Sequence, residues 1–381
     1  MQKYNIAVVG ATGLVGETMI RVLEERKFPV AELRPLASEG SLGKHVKFCG
    51  REIPVQVLDK NSFEGIHFAL FSAGGDISLE YAPIAAKAGA IVIDNTSAFR
   101  MAKDVPLIVP EVNGYVFARP RSGRGNLPNT VAFGGLPRAS GAPAKRPAGG
   151  RNDKTSGFII ANPNCSTIQL VCVLKPIHDV AKIKRVVVST YQSVSGAGRE
   201  AVEYLKSGVA EGFSLPSIGG TLKGSATNFP HPFAFNCIPQ IDKFEPNGYT
   251  KEEMKVVNET RKIMSAPEMN ITCTAVRVPV QVGHSEAVNI ETEKKLSTDD
   301  VRKILKKAPG VIVVDEPAKG KYPMPVDCVG KDEVFVGRIR EDISIKNGLD
   351  LWIVADNLRK GAATNAVQIA ELLTMGSDLS Y

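Results

Sequence analysis

The sequence has little of what would take it out of the ordinary class of globular proteins. Its 381 residues hold six cysteines, Cys49, Cys165, Cys172, Cys237, Cys273 and Cys328, with no Cys-x-x-Cys pair among them. That excludes a disulfide-stapled scaffold and fits a reducing compartment, so a cytoplasmic location is expected. No apolar run approaches about 18 residues, so no membrane-spanning helix and no membrane partner are expected. The first apolar stretch begins within a few residues of Met1, which leaves no room for a signal peptide. There are no internal repeats and no metal-ligand spacing. With 43% hydrophobic and 23% charged residues, the chain reads as globular, and its length suggests two domains.

A distributed positive charge is also lacking. The net charge is +7, yet residues 114–157 alone carry Arg119, Arg121, Arg124, Arg138, Lys145, Arg146, Arg151 and Lys154 against Asp153. The rest of the chain is neutral. This segment is rich in Gly, Pro, Arg and Ala, without apolar periodicity, and is expected to be a mobile surface excursion. It reads as an insertion peculiar to this chain or as a local frame shift. A nucleic-acid-binding arm is the alternative, but Tyr115, Phe117, Phe133 and Phe158 are sparse as stacking groups, and no nucleic-acid partner is expected.

What is present begins with Tyr-Asn-Ile-Ala-Val-Val at residues 4–9, a buried strand, followed by Gly-Ala-Thr-Gly-Leu-Val-Gly and a helical pattern through Glu25. Strand, glycine turn and helix form the context of a dinucleotide loop. Gly10 permits the turn, Gly13 lets the backbone approach a pyrophosphate, and Gly16 allows close helix–strand packing. A second strand, near 32–37, leads to Ser38, Glu39, Gly40 and Ser41, with Lys44 beyond. Hydroxyls and a lysine suit a 2′-phosphate and Glu39 does not, so NADP is the expected cofactor with NAD as the alternative. Further strands are read at 66–71, 90–94 and 158–161, with a short strand and its exit at 107–113 and a helix at 77–88. Arg100 stands just beyond a strand's carboxyl end, where its fork of donors suits a phosphate.

The centre of the sequence is Ala-Asn-Pro-Asn-Cys-Ser-Thr-Ile-Gln-Leu at residues 161–170. Pro163 keeps Asn162 out of the α region, and Asn164 is a suitable cap for a helix expected over 166–177. Cys165 then lies at the positive end of that helix, which favours its reactive thiolate. Downstream come strands at 185–191 and 271–280, the latter carrying Arg277, and a helix to about 264, with Thr250 and Glu253 as a capping box. Residues 208–240 read as loop. His284 follows in Val-Gly-His-Ser-Glu. A helix at 298–307, strands at 311–314, 333–339 and 349–355, and a last helix at 362–373 complete a mixed sheet. A helix-start cysteine, a histidine and a dinucleotide loop together suit acyl transfer through a thioester coupled to hydride transfer.

The stretches GATGLVG, SAFRM, VPEVN, ANPNCSTIQL, YQSVSGAG, EEMK, RVPV, GHSEA and DNLRKGAATNAVQIAE span the chain. On them the sequence resembles the aspartate-semialdehyde dehydrogenases, with residues 114–157 lacking a counterpart. The resemblance implies an enzyme that reduces L-aspartyl 4-phosphate to L-aspartate 4-semialdehyde with NADPH, releasing inorganic phosphate, in lysine, threonine and methionine synthesis. It implies Cys165 as the nucleophile, His284 as the acid/base and Gln192 as the residue orienting the acyl group. Arg277 and Glu252 would meet the substrate's α-carboxylate and amino group, and Arg100, Lys255 and Asn164 its phosphate. Gly10, Thr12, Gly13, Leu14, Val15, Gly16, Ser38, Gly40, Ser41, Ser195, Gly196 and Asn357 fall where the family meets its cofactor. Gly40 stands where many members carry arginine, which leaves NADP against NAD open. The implied fold is α/β: a Rossmann-type domain, residues 1–164 with 357–381, and a mixed-sheet catalytic and dimerisation domain, residues 165–356, in a homodimer or homotetramer. N-acetyl-glutamyl-phosphate reductase, an inactive relative used as a binding module, and a nucleic-acid binder are the alternatives.

Overall fold

A computed structural model of the chain describes residues 2–117, 157–210, 229 and 231–375. It divides into two units: Met1–Ile168 with Lys262–Ala266 and Gly361–Tyr381, and Gln169–Arg261 with Pro267–Lys360.

In the first unit, β1 (Tyr4–Val9) runs through a glycine turn into α1 (Leu14–Glu25) and β2 (Val30–Ala37). A hairpin, β3 (His45–Phe48) and β4 (Arg51–Pro54), and the short β5 (Gln56–Val57) follow. Then come β6 (Phe68–Phe71), α2 (Gly75–Lys87), β7 (Ile91–Asp94), α3 (Pro110–Asn113), β8 (Ile159–Ala161) and the start of α4 (Cys165–Ala181). The strands form an all-parallel sheet of order β5-β2-β1-β6-β7-β8. Alternation along β1 splits the core. Ile6 and Val8 join Met19 and Leu23 of α1 on one face, whereas Ala7 and Val9 join Ala82 and Ala85 of α2 on the other. This two-faced burial is what a parallel sheet requires. The order turns at β1, so the loop leaving it lies at the topological switch point, where such sheets bind ligands.

The second unit holds β9 (Ile183–Gln192), α5 (Arg199–Ala210), α6 (Lys251–Ile263), β10 (Asn270–Arg277), β11 (His284–Thr292), α7 (Thr298–Leu305), β12 (Val311–Val313), α8 (Pro325–Cys328), β13 (Val334–Asp342) and β14 (Gly348–Ala355). Its mixed sheet has the order β10-β9-β11-β14-β13-β12. The final helix, α9 (Thr364–Met375), returns to the first unit and packs Ala366, Val367 and Ala370 into the same cluster as α1. The α/β class with one parallel and one mixed sheet is the one the sequence implied.

Several expectations are corrected. The short strand read at the start of 107–113 is reduced to a single bridge from Leu107 to Ala161, and its exit is a helical turn opened by Pro110. The Asn113 side chain closes that turn, accepting from Val109 N at 2.9 Å and donating to Leu107 O at 2.9 Å. No strand is read from the sequence at 284–292, where His284 begins β11, the third strand of the mixed sheet. The last helix is preceded by a π-turn at Arg359–Ala363. The expectation of a mobile 114–157 falls mostly on residues 118–156, which lie outside the described residues. Its ends are ordered: Gly114–Phe117 form a 3₁₀ turn with Val116 against the core. At Gly157 a Cβ would come within 2.0 Å of Ala90 O. The loop expected at 208–240 begins inside α5 and its residues 211–228 and 230 are likewise outside.

Candidate active site

Gly10 sits at φ +84°, a conformation open to glycine, and its N–H and that of Ala11 both donate to Leu36 O on β2. Gly16 is enforced more severely: a Cβ there would lie 2.1 Å from Gly10 O. The first turn of α1 is therefore pressed onto the loop, and Gly13 is its N-cap, with Leu14 and Val15 following. This is a cradle for a pyrophosphate at a helix start, so the residues present fit a dinucleotide. Beyond β2, Thr12 and Ser41 hydroxyls meet at 3.0 Å and Ser41 is buried. Ser41 is thus turned inward, which leaves Ser38, the bare backbone of Gly40, and Lys44 on the exposed side.

The cysteine's turn lies in the same unit. Asn164 Oδ1 accepts from Ser166 N at 3.0 Å and Thr167 N at 3.3 Å, capping α4, whose first residue is the half-buried Cys165. The helix starts one residue earlier than the sequence suggested. Arg100 is buried: its Nε donates to Asn162 O at 3.0 Å and its Nη2 to Asn95 O at 2.8 Å. Burial raises the pKa of Asp94 above the usual carboxylate value, against the opposing hydrogen bonds from Thr96 and Ser78.

The remaining site residues lie in the second unit. His284 is fully buried at the head of β11, and its Nδ1 accepts from Ser193 N at 3.1 Å with Ser193 Oγ at 3.0 Å. A backbone N–H on Nδ1 fixes the neutral tautomer with its proton on Nε2. Burial and the nearby Arg277 charge hold the His284 pKa well below its usual value, so the ring is neutral at neutral pH. Arg277 Nη1 donates to Ser193 O at 2.7 Å. Gly196 lies against both groups: a Cβ there would meet Arg277 Nη1 at 3.1 Å and His284 Nε2 at 3.4 Å. Asn357 ties this corner together. Its Oδ1 accepts from Gly283 N, Ser193 Oγ and Ser195 Oγ at 2.8, 3.0 and 3.2 Å.

A second chain of contacts runs from Gln192 Nε2 to Glu252 Oε1 at 3.3 Å, from Lys255 Nζ to Glu252 Oε2 at 3.1 Å, and on to Asp242 Oδ2 at 2.9 Å. Burial works to lower the Lys255 pKa, but Glu252 and Asp242 outweigh it and the net shift is upward. Sequence reasoning missed Ser193 and Asp242. Ser193 lies inside the quoted YQSVSGAG run, where a polar residue next to Gln192 was a signal; Asp242, in a loop-like stretch, gave none. It also missed Glu286, fully buried two residues beyond His284, whose pKa burial pushes well above the usual carboxylate value. Among the described residues no helix is long and apolar enough to cross a membrane.

A dinucleotide cradle in a parallel sheet, a cysteine capped at a helix start, and a tautomer-locked histidine in a mixed-sheet unit define a nicotinamide-dependent semialdehyde dehydrogenase. Two family models agree. "Semialdehyde dehydrogenase, NAD binding domain" matches residues 5–119, and "Semialdehyde dehydrogenase, dimerisation domain" matches residues 174–360. Proteins named aspartate-semialdehyde dehydrogenase are similar over nearly the whole chain. The one from Aquifex aeolicus is 53% identical over 97% of this chain and 98% of its own, and that of Legionella pneumophila 50% identical over 97% and 95%. The crystal structure of aspartate semialdehyde dehydrogenase II from Vibrio cholerae, complexed with ASA, superposes with a TM-score of 0.82 at 46% identity, covering 98% of this chain and 99% of that one. The chain belongs to the aspartate-semialdehyde dehydrogenase family. These comparisons do not favour the N-acetyl-glutamyl-phosphate, binding-module or nucleic-acid alternatives.

Proposed function

We propose that the chain reduces L-aspartyl 4-phosphate to L-aspartate 4-semialdehyde with NADPH, releasing inorganic phosphate, through a thioester on Cys165. The observation that supports this most strongly is the seat of Cys165: first residue of α4, directly behind the Asn164 cap. There the helix's N-terminal charge stabilises a thiolate. The thiolate Sγ attacks the acyl carbon, the bond from that carbon to the phosphate oxygen breaks, and phosphate leaves with the electron pair. Arg100 and Lys255 are the cations for its charge, Asn164 is a further phosphate contact, and Gln192 orients the acyl group. Arg277 meets the α-carboxylate and Glu252 the α-ammonium, one charge partner of each sign. Each time the acyl carbon becomes tetrahedral its oxygen gains charge, and the Nε2–H of His284 is the donor for it. When the tetrahedral carbon collapses to the aldehyde, Cys165 departs as the thiolate and His284 takes the proton back. Gly10, Thr12, Gly13, Leu14, Val15 and Gly16 with Ser195, Gly196 and Asn357 would hold NADPH, which would supply the hydride.

The edge around Ser38 and Gly40 supports NADP with only a weak preference over NAD, about tenfold or less. The working form is a homodimer or homotetramer, in keeping with the dimerisation-domain match. The test runs the reaction backwards with aspartate semialdehyde or N-acetyl-glutamate semialdehyde, phosphate, and either cofactor. Efficient cofactor reduction is expected only with the aspartate compound. A comparable kcat/KM with the acetylated substrate would overturn the assignment.

A further inference from the structure

One buried cluster in the first unit is built around the turn that carries Cys165, and its asparagines Asn162, Asn365 and Asn95 take no part in the proposed chemistry. Asn162, three residues before the cysteine, is fully buried and all its polar groups are used. Its N–H donates to Asp94 O at 2.7 Å and its carbonyl accepts from Arg100 Nε at 3.0 Å. Its side-chain Nδ2 donates to Asn95 Oδ1 at 2.6 Å and to Ala362 O at 3.3 Å. Its Oδ1 accepts from Asn365 Nδ2 at 2.6 Å, and the same Asn365 nitrogen reaches Ile108 O at 2.9 Å. Asn365 is itself fully buried, in the first turn of α9. Just ahead of that helix, Gly361 lies against the cysteine: a Cβ there would come 2.9 Å from Cys165 Cβ and 3.3 Å from its Cα. A Cβ contact below 3.0 Å forces something to shift, and here the neighbours are the nucleophile's own backbone and Cβ.

We propose that Asn365 and Gly361, at the entry to the C-terminal helix, are positioning residues for the Cys165 thiol. The chain Asn365–Asn162–Asn95 is directional, each amide nitrogen facing an amide oxygen, so it fixes the turn at 162–164 in one arrangement. Gly361 leaves the space in which the cysteine backbone is seated. Together they hold Sγ in line with the first amides of α4, where the thiolate is stabilised. Lys262 braces the Arg100 stretch of the same frame, donating to the carbonyls of Arg100, Ala102 and Val105 at 2.7, 2.9 and 2.9 Å. The inference rests on Cys165 being the nucleophile.

The test uses the full chain and four variants: Asn365→Leu, which removes both donated bonds at similar volume; Asn365→Ser, which restores a donor; Gly361→Ala, which removes no bond but intrudes on Cys165; and Val367→Ala, which thins the core under the same helix. Each is measured for thermal midpoint, for kcat and KM, and for the rate of iodoacetamide alkylation of Cys165 against pH, with the labelled residue identified by peptide mass. Asn365→Leu and Gly361→Ala are expected to move the alkylation profile to higher pH and to lower kcat by roughly tenfold or more, with KM much less changed. Asn365→Ser recovers part of the loss. Val367→Ala lowers the thermal midpoint but keeps the wild-type profile and kcat. If Asn365→Leu fails to fold, Gly361→Ala carries the test alone. A wild-type alkylation profile and kcat in Gly361→Ala overturn the inference. A Cys165→Ser control separates the two readings: turnover by that variant defeats the nucleophile assignment itself, whereas an inactive Cys165→Ser beside a wild-type-like Gly361→Ala defeats only the positioning role.

Discussion

His284 is held in one tautomer because a backbone N–H occupies Nδ1, so its only proton is on Nε2. A side chain that donates to a developing oxyanion is worth roughly 10²–10⁴-fold. His284→Ala is therefore expected to slow turnover by that order while cofactor binding persists, and a near-normal kcat would remove it from the mechanism. Glu286, on the same strand, is held protonated by burial. Its folded pKa lies above the unfolded value of about 4.5, so its contribution is fully present below pH 4.5 and is lost as pH rises through the folded value. Glu286→Gln keeps the neutral shape without that loss. The variant's thermal midpoint should gain on wild type as pH rises above about 4.5; a constant gap would mean that Glu286 ionises in the folded state as it does in the unfolded chain. Residue types and their setting pointed to Cys165 and His284, whereas the roles of Arg277 and Glu252 came only with the family resemblance. Ser193, Asn162 and Asn365 were silent because they work through backbone carbonyls and amides that only the fold brings within reach.

At the scale of elements, the glycine loop was legible because its constraint is local: Gly10, Gly13 and Gly16 are set by a turn and by one helix pressed on it. The Thr250–Glu253 box was equally legible. Thr250 N donates to Glu253 Oε2 at 2.6 Å and Glu253 N to Thr250 Oγ1 at 3.3 Å, at the start of α6. Thr250→Ala is expected to cost about 1 kcal/mol of stability, read as a lower urea midpoint with unchanged slope. No loss would show that Glu253, which also accepts from Ala275 N at 2.9 Å, holds the helix without its cap. β11 was missed because His284 and Glu286 make its first residues polar, and both are buried. Their place in the sheet comes from pairing with β9 and β14, distant in sequence. The short β5 and the β3–β4 hairpin escaped for a related reason: strands of two to four residues carry too little periodicity to read.

At the scale of the whole molecule, residues 120–157 of the basic segment lie outside both matched family ranges. Val116 and Phe158 pack against the same core cluster, so excision should keep both. Replacing residues 118–156 with a short glycine-serine linker is expected to leave solubility and kcat close to wild type, since each doubling of loop length changes closure by only about 0.6 kcal/mol. Insoluble or inactive protein would show that the segment is needed. Cys165 lies outside both matched family ranges, which end at residue 119 and resume at 174. Its role therefore rests on its own motif and seat at the head of α4, and it is the point on which the account turns. The most direct measurement is intact-mass analysis of the enzyme after aspartyl 4-phosphate is added without reductant, with the modified peptide then sequenced. One aspartyl group per chain is expected, on Cys165, lost when NADPH is supplied. An unmodified Cys165, or an acyl group carried on another residue, would contradict it.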